Sequence, residues 1–241
     1  MTQFKFAASL IICTSLLSSS AFAHISYKDE VAPKSVYNWT GFYAGLNAGA
    51  VQNTMNITDT EATTFYATIQ QVSNPAFTGG FQLGYRRQLD LTQASGVYGI
   101  EFSADFANDT SNKEYGSSFA LYQLSSKNEL QDLCLLQLIG GIAADRSLLF
   151  MAAGMSWANI SGNVTSLNGV PFFNSFNVGK KVLGAALGGG IEYAFTDKIS
   201  ARIKVDFIKP GIYTTKNNVD NSYQITNSIT QGTFAINYKF A

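Results

Sequence analysis

The sequence predicts an all-β fold, an eight-stranded antiparallel up-and-down transmembrane β-barrel, and three observations predict it. Apolar side chains recur at every second position over long segments. Between 183 and 207, Leu183, Leu187, Ile191, Tyr193, Ile199, Ile203, Val205 and Phe207 sit at odd positions, whereas the even ones are small or charged. Successive side chains of a strand point to opposite faces, so each arm is a ribbon with one apolar side, long enough for the ~9–11 tilted residues that cross a bilayer. Eight such segments occur, joined by links that alternate between long and short. Finally, the chain opens on a secretory leader, and no later apolar run approaches the ~18 residues of a helical span.

The leader comes first. Lys5 is the only charge before Lys28, residues 6–17 are almost all apolar, and Ala21-Phe22-Ala23 places small residues where a signal peptidase needs them. Residues 1–23 therefore read as a signal peptide, 24–38 as a short periplasmic lead and 39–241 as the barrel. Ile12 before Cys13 is too large for a lipoprotein attachment site. With Lys5 removed, the 16 basic and 16 acidic side chains leave a net charge near −1. No basic excess invites nucleic acid, and none is expected as a partner. One cysteine remains, Cys134 between Leu133 and Leu135. It has no partner for an internal disulfide and behaves as a small hydrophobe.

The first strand runs over about 39–52, with Phe42, Ala44, Leu46, Ala48 and Ala50 on one face and Tyr43, Gly45, Asn47 and Gly49 on the other. A long polar link, 53–74, precedes the second strand at 77–87, where Phe81, Leu83 and Tyr85 alternate with Gln82, Gly84 and Arg86. After a short link the third strand places Tyr98, Ile100, Phe102, Ala104 and Phe106 opposite Gly99, Glu101, Ser103 and Asp105. Residues 107–127 form another long polar link. The fourth segment, 129–143, is apolar on both faces, and periodicity alone does not separate it from a helix. Its neighbours decide. Ala144-Asp145-Arg146-Ser147 is a turn, and Leu149, Met151, Ala153, Met155 and Trp157 open a fifth strand. A third long link spans 161–179. The 183–207 hairpin, turned at Thr196-Asp197-Lys198, gives strands six and seven. A last long link, 209–227, leads to the eighth, where Phe234, Ile236, Tyr238 and Phe240 alternate with Ala235, Asn237 and Lys239.

Hydrocarbon offers backbone groups no partners, so strands span a bilayer only as a closed barrel. In bacterial outer-membrane barrels the long loops face outward and the short turns face the periplasm. Trp39, Tyr98, Phe106, Trp157, Phe195, Phe207, Tyr238 and Phe240, at strand ends, are expected to form the aromatic girdles. A soluble, secreted eight-stranded barrel would alternate too, with its apolar face inside. The abundance of Gly, Ala and Ser on the polar face, and its few lysines and glutamates, suit a cramped lumen better than a solvated exterior.

Under that register Arg86, Glu101, Asp105, Glu192, Arg202, Lys204, Asp206 and Lys239 project into the lumen. They would either line a narrow ion-selective pore or form a salt-bridged plug. An interior only wide enough to be filled by side chains favours the plug, and buried charges need partners of opposite sign.

Trp39-Thr40-Gly41-Phe42-Tyr43-Ala44-Gly45, Gly99-Ile100-Glu101, the run from Asp145 to Phe150, the run from Gly188 to Lys198 and the closing Asn237-Tyr238-Lys239-Phe240 occur in that order. They resemble the outer-membrane β-barrel family of small Gram-negative surface proteins, porin-like and opacity-type eight-stranded barrels, over essentially the whole mature chain. The resemblance implies outer-membrane lipid as surroundings, the barrel-assembly machinery as a partner during biogenesis, and a host or surface ligand at the loops. Two positions depart from the family pattern: Gln137 and Ile139 stand where basic residues are usual, and Ala241 follows the terminal Phe240.

Catalysis is not expected. His24, at the cleavage boundary, is the only histidine, so no imidazole is available to a nucleophile or a hydrolytic water in the barrel. With one cysteine there is also no transition-metal ligand set, and no cofactor is expected. The chain is expected to end at its eighth strand without a periplasmic domain. Two functions remain: a structural and surface-interaction protein of the envelope, or a small porin passing ions or small solutes.

Overall fold

A computed structural model describes residues 37–59, 68–90, 95–116, 123–166, 176–216 and 222–240. The predicted signal peptide and all but the end of the 24–38 lead lie outside the described residues. The strands are β1 (Gly41–Asp59), β2 (Thr68–Val72), β3 (Ala76–Asp90), β4 (Ser95–Gly116), β5 (Gln123–Ala144), β6 (Ser147–Ser166), β7 (Phe176–Ala194), β8 (Ile199–Pro210), β9 (Tyr213–Lys216) and β10 (Ser222–Lys239). Every pairing is antiparallel, each long strand pairs with the next along the chain, and β1 closes on β10 from Tyr43↔Lys239 to Asp59↔Tyr223. Two strands are continuations: β2 carries on from β3 and β9 from β8. The barrel wall is therefore eight-stranded, closed and without an edge.

The alternation read from the sequence has its physical cause in this wall. Leu46, Phe77, Leu138, Leu149, Met151, Ile191 and Phe207 all stand exposed on the outside. In water that much apolar surface would drive aggregation, whereas in a bilayer it is the solvated face. On β8 the outward set from Ile199 to Phe207 is nine residues long, and the inward set is Ser200, Arg202, Lys204, Asp206 and Ile208.

Two expectations are corrected. The four long links are mostly strand: β1 reaches Asp59, β4 Gly116 and β6 Ser166, so the ladder continues well past the apolar band. Hydropathy alternation reports which face meets lipid. Polar segments such as 109–116 pair through their backbone and leave no such signature. The other correction is Trp39. It is 3% exposed and lies inside the periplasmic mouth, so it does not belong to the girdle. A strand-end position suggests a girdle, but Trp39 shares the odd parity of inward Tyr43. Gly41, just after Trp39, has a φ of 138°, which favours glycine. Trp39 N–H donates to Gln88 Oε1 at 2.9 Å, and Gln88 N–H donates to Thr40 Oγ1 at 3.0 Å. Tyr98, Phe106, Trp157, Phe195, Phe207, Tyr238 and Phe240 stand exposed on the outer surface. Acyl chains brominated along their length should therefore quench the fluorescence of Trp157 in a Trp39→Phe variant and leave Trp39 in a Trp157→Phe variant bright. Equal quenching of both would place Trp39 in the lipid.

The fourth segment, ambiguous in sequence, is strand with apolar residues on both sides. Leu133, Leu135 and Ile139 point in, Leu138 and Ile142 out. A bulge adds Gln131, since Leu130 faces Ile160 and Asp132 faces Asn159. The extra residue switches facing parity, so Leu130 and Leu133 are both buried.

Above the band the wall divides at two prolines. The β3–β4 ladder begins at Thr78↔Ala107, and Pro75 stands just before β3. The β7–β8 ladder ends at Gly184↔Pro210. Proline has no N–H to give a ladder. Beyond Pro75, Ser73 ties its strand to β1 alone, its N–H to Asn53 O and its hydroxyl accepting from Asn53 N–H, both at 2.8 Å. β9 likewise pairs, among the described residues, only with β10. Among the described residues the outer rim is thus two four-stranded groups, β2-β1-β10-β9 and the outer halves of β4 to β7.

Candidate functional site

The lumen is filled in three layers. The middle one is polar and draws on β1, β3, β4, β5, β7, β8 and β10. Arg86 Nη2 lies 2.9 Å from Glu192 Oε2, which also accepts from Arg202 Nε at 2.8 Å. Arg202 Nη1 donates to Glu101 Oε2 at 2.5 Å, and Lys204 Nζ lies 3.4 Å from Glu101 Oε1 and 3.2 Å from Asp206 Oδ2. These six side chains, each at most 5% exposed, make one line in which positive and negative groups strictly alternate: Arg86, Glu192, Arg202, Glu101, Lys204, Asp206. It carries no net charge. Burying an unpaired ion is costly, and an alternating line gives every interior member two opposite neighbours.

Neutral groups complete it. Glu192 also accepts from Ser200 Oγ (2.5 Å) and Asn237 Nδ2 (3.0 Å), and Gln82 Nε2 donates to Asn237 Oδ1. Gln137 accepts from Lys204 Nζ at 2.6 Å and donates to Asp206 Oδ1 at 2.9 Å. A lysine at 137 would place like charge beside Lys204. Tyr43 Oη donates to Glu101 Oε2 at 2.5 Å, and the Arg86 guanidinium stacks 3.9 Å from the centre of its ring. That ring passes over Gly84, and a Cβ there would collide with its phenol carbon.

Of the eight lumen residues expected from sequence, six form this line. Asp105 lies beside it, accepting from Gln231 Nε2 at 3.1 Å. Lys239 is corrected to a rim position: only partly buried, its Nζ donates to Asn38 O at 2.5 Å and stands 4.5 Å from the Tyr37 ring. It is the last residue of β10, paired with Tyr43 at the end of the ladder. Tyr43, Gln82, Gln137, Ser200, Gln231 and Asn237 complete the layer although sequence reasoning, weighing charge alone, did not select them. Their inward parity was the available signal.

The layers on either side are apolar, against the expectation of a polar lumen. Toward the outside lie Val51, Leu130, Leu133, Leu135, Ile160, Ile208 and Ile229. Toward the periplasm lie Tyr37, Trp39, Val97, Ile139, Leu148 and Phe150. Tyr37 and Trp39 stack edge to face at 4.6 Å. Tyr37 N–H reaches Asp145 O, and burial pushes its phenol above its ordinary pKa, so it stays neutral. Facing β6 residues are small or apolar, and no charge faces inward from that strand. Among the described residues, no group of His, Cys, Asp and Glu side chains could hold a metal ion.

A closed antiparallel barrel with a lipid-facing exterior and a packed interior is the architecture of outer-membrane proteins. The chain belongs to the outer membrane protein beta-barrel domain family, whose profile matches residues 9–240. This places it in the outer membrane of a Gram-negative cell, in contact with its lipid. Among solved structures it is similar to OprG from Pseudomonas aeruginosa (10% identity, TM-score 0.49, covering 85% of this chain and 99% of that one). It is also similar to Neisserial surface protein A (12%, 0.40, 83% and 98%) and to the outer membrane protease OmpT from Escherichia coli (11%, 0.47, 88% and 99%). No curated protein sequence matches the chain.

Proposed function

We propose that this protein is a sealed, non-conducting barrel that supports the integrity of the outer membrane and presents its outer β-extension for surface contact, without catalysis. The observation that carries the reading is the alternating six-charge line held between two apolar layers. An ion entering the lumen would have to break paired charges and then cross Leu133, Leu135 and Ile208 on one side, or Trp39 and Phe150 on the other. An interior of eight strands is just wide enough for side chains to fill it. The wall and the outward-reaching strands are then what is left to act. In this reading the assembly machinery is a partner during biogenesis, and a host or surface ligand meets the outer strands. With His24 as its only histidine, the sequence gives the barrel no imidazole base.

Planar-bilayer recording of the refolded protein tests this against the small-porin alternative. The expected result is no stable conductance steps. Stable open channels whose ion selectivity changes on Glu101→Gln or Arg202→Gln would overturn the sealed barrel. Refolding is checked by heat-modifiable migration on a gel.

A further inference from the structure

The division of the outer rim leaves sheet edges that the closed wall does not have. On β7, residues 176–182 pair with β6 on one side and, among the described residues, with no strand on the other. Leu183 O is already taken by Gly211 N–H at 2.8 Å. Facing this edge across the division, β9 pairs, among the described residues, only with β10. A row of unpaired backbone donors and acceptors is a template for another strand.

The sequence at this one division has a single sign of charge. Lys180 and Lys181 lie on the β7 edge, Lys209 on the last turnless stretch of β8 and Lys216 on β9, with no Asp or Glu in 176–183 or 209–216. Lys181 and Lys209 are exposed. The other open edge, 109–116 of β4, is mixed, with Asp109 and Glu114 beside Lys113. Lysines on an edge set like charges opposite one another when two copies approach, which disfavours self-pairing. The same lysines are complemented by a strand carrying carboxylates.

We infer that the β7 edge at 176–182 docks an acidic, extended polypeptide segment of another protein by strand addition, with ladder hydrogen bonds to the backbone and an ion pair to exposed Lys181. A lipid phosphate would satisfy the lysines and leave the backbone row unpaired, so the open ladder favours a peptide. The inference deepens the surface-contact reading above and names its partner class.

The test uses the full mature chain in phosphatidylcholine nanodiscs and a fluorescent eight-residue peptide alternating Glu with Val. A second peptide has the same sequence with alternate amides N-methylated, which keeps the charge and removes the ladder donors. Binding is expected to weaken at least about tenfold on N-methylation, and by a similar factor in a Lys181→Glu variant. Amide hydrogen exchange should slow at 176–182 when the parent peptide binds. Equal binding of the N-methylated peptide would overturn strand addition and leave only polyanion attraction. Absence of binding, or binding without protection at 176–182, would overturn the docking edge. The N-methyl comparison uses the unaltered protein, so it stands even if the variant fails to fold. Failure here with a silent bilayer removes the docking edge alone, whereas a conducting lumen removes the sealed-barrel reading.

Discussion

Glu192→Ala is expected to destabilise the barrel by about 3–5 kcal/mol, measured as urea-induced unfolding from lipid vesicles. Glu192 is the branch point of the lumen: it meets Arg86, Arg202, Ser200 and Asn237 within 3.0 Å. Removing its carboxylate strands two guanidiniums that have lost their water, and the apolar layers above and below offer them nothing. Arg202 retains Glu101, but Arg86 has no other carboxylate in the alternating line. Glu192→Gln keeps the volume and an acceptor oxygen, and should cost less than alanine. The double change Arg86→Met, Glu192→Leu removes one charge of each sign, leaves Arg202 on Glu101 and should recover most of the loss, because a well-packed apolar replacement of a buried ion pair is often neutral. A loss below about 1 kcal/mol for Glu192→Ala is what an exposed, independent pair would give, and would show that the six charges do not act as one network.

The contrast between the alanine and the double variant also bears on why the charges are there. If apolar packing serves equally well for stability, the alternating line contributes something else, and strand register is the natural candidate. A slip of one residue in β8 would turn Arg202, Lys204 and Asp206 to the lipid and Ile203 and Val205 to the lumen. Apolar residues inward would tolerate that slip in a wall already apolar outside. Three charges on one strand would not.

The wall was legible in the sequence because lipid writes a strict rule. Every outward residue from Ile199 to Phe207 on β8 must be apolar or small, and the inward set is free to differ. Where the rule stops, so does the legibility. The outer halves of β4 to β7 are mostly polar in sequence and carry no regular apolar alternation, so they read as loops. The inward apolar layers were hidden for a different reason. Leu133, Leu135 and Ile139 on β5 look the same as lipid-facing residues, and only the parity set by the partners of β5, together with the bulge at Gln131, assigns them to the lumen. The charged members of the middle layer were visible as charges on the polar face, but not their order: which cation sits between which carboxylates depends on strand stagger, which one sequence does not reveal. Trp39 reads as a girdle residue from its place at a strand end, although its odd position, shared with inward Tyr43, already assigns it to the lumen.

Trp39→Ala should then cost about 3–5 kcal/mol, the range for removing a large aromatic side chain from a packed interior, whereas a girdle residue at the same sequence position would lose far less. Trp39 packs with Tyr37 in the layer that includes Val97, Ile139, Leu148 and Phe150, and the Arg86 guanidinium lies 5.7 Å from its ring. Alanine would leave a void between that layer and the charged line, admitting periplasmic water to Arg86. Trp39→Phe makes the sharper comparison. The indole Nε1 finds no acceptor among the described residues, so phenylalanine gives up some packing but also removes a buried donor that is not satisfied. It should cost well under half of what alanine does. If alanine and phenylalanine are equally damaging, the indole N–H has a partner that matters. If both are harmless, the mouth is not sealed by this side chain, and the periplasmic layer owes its closure to Phe150 and Leu148 alone.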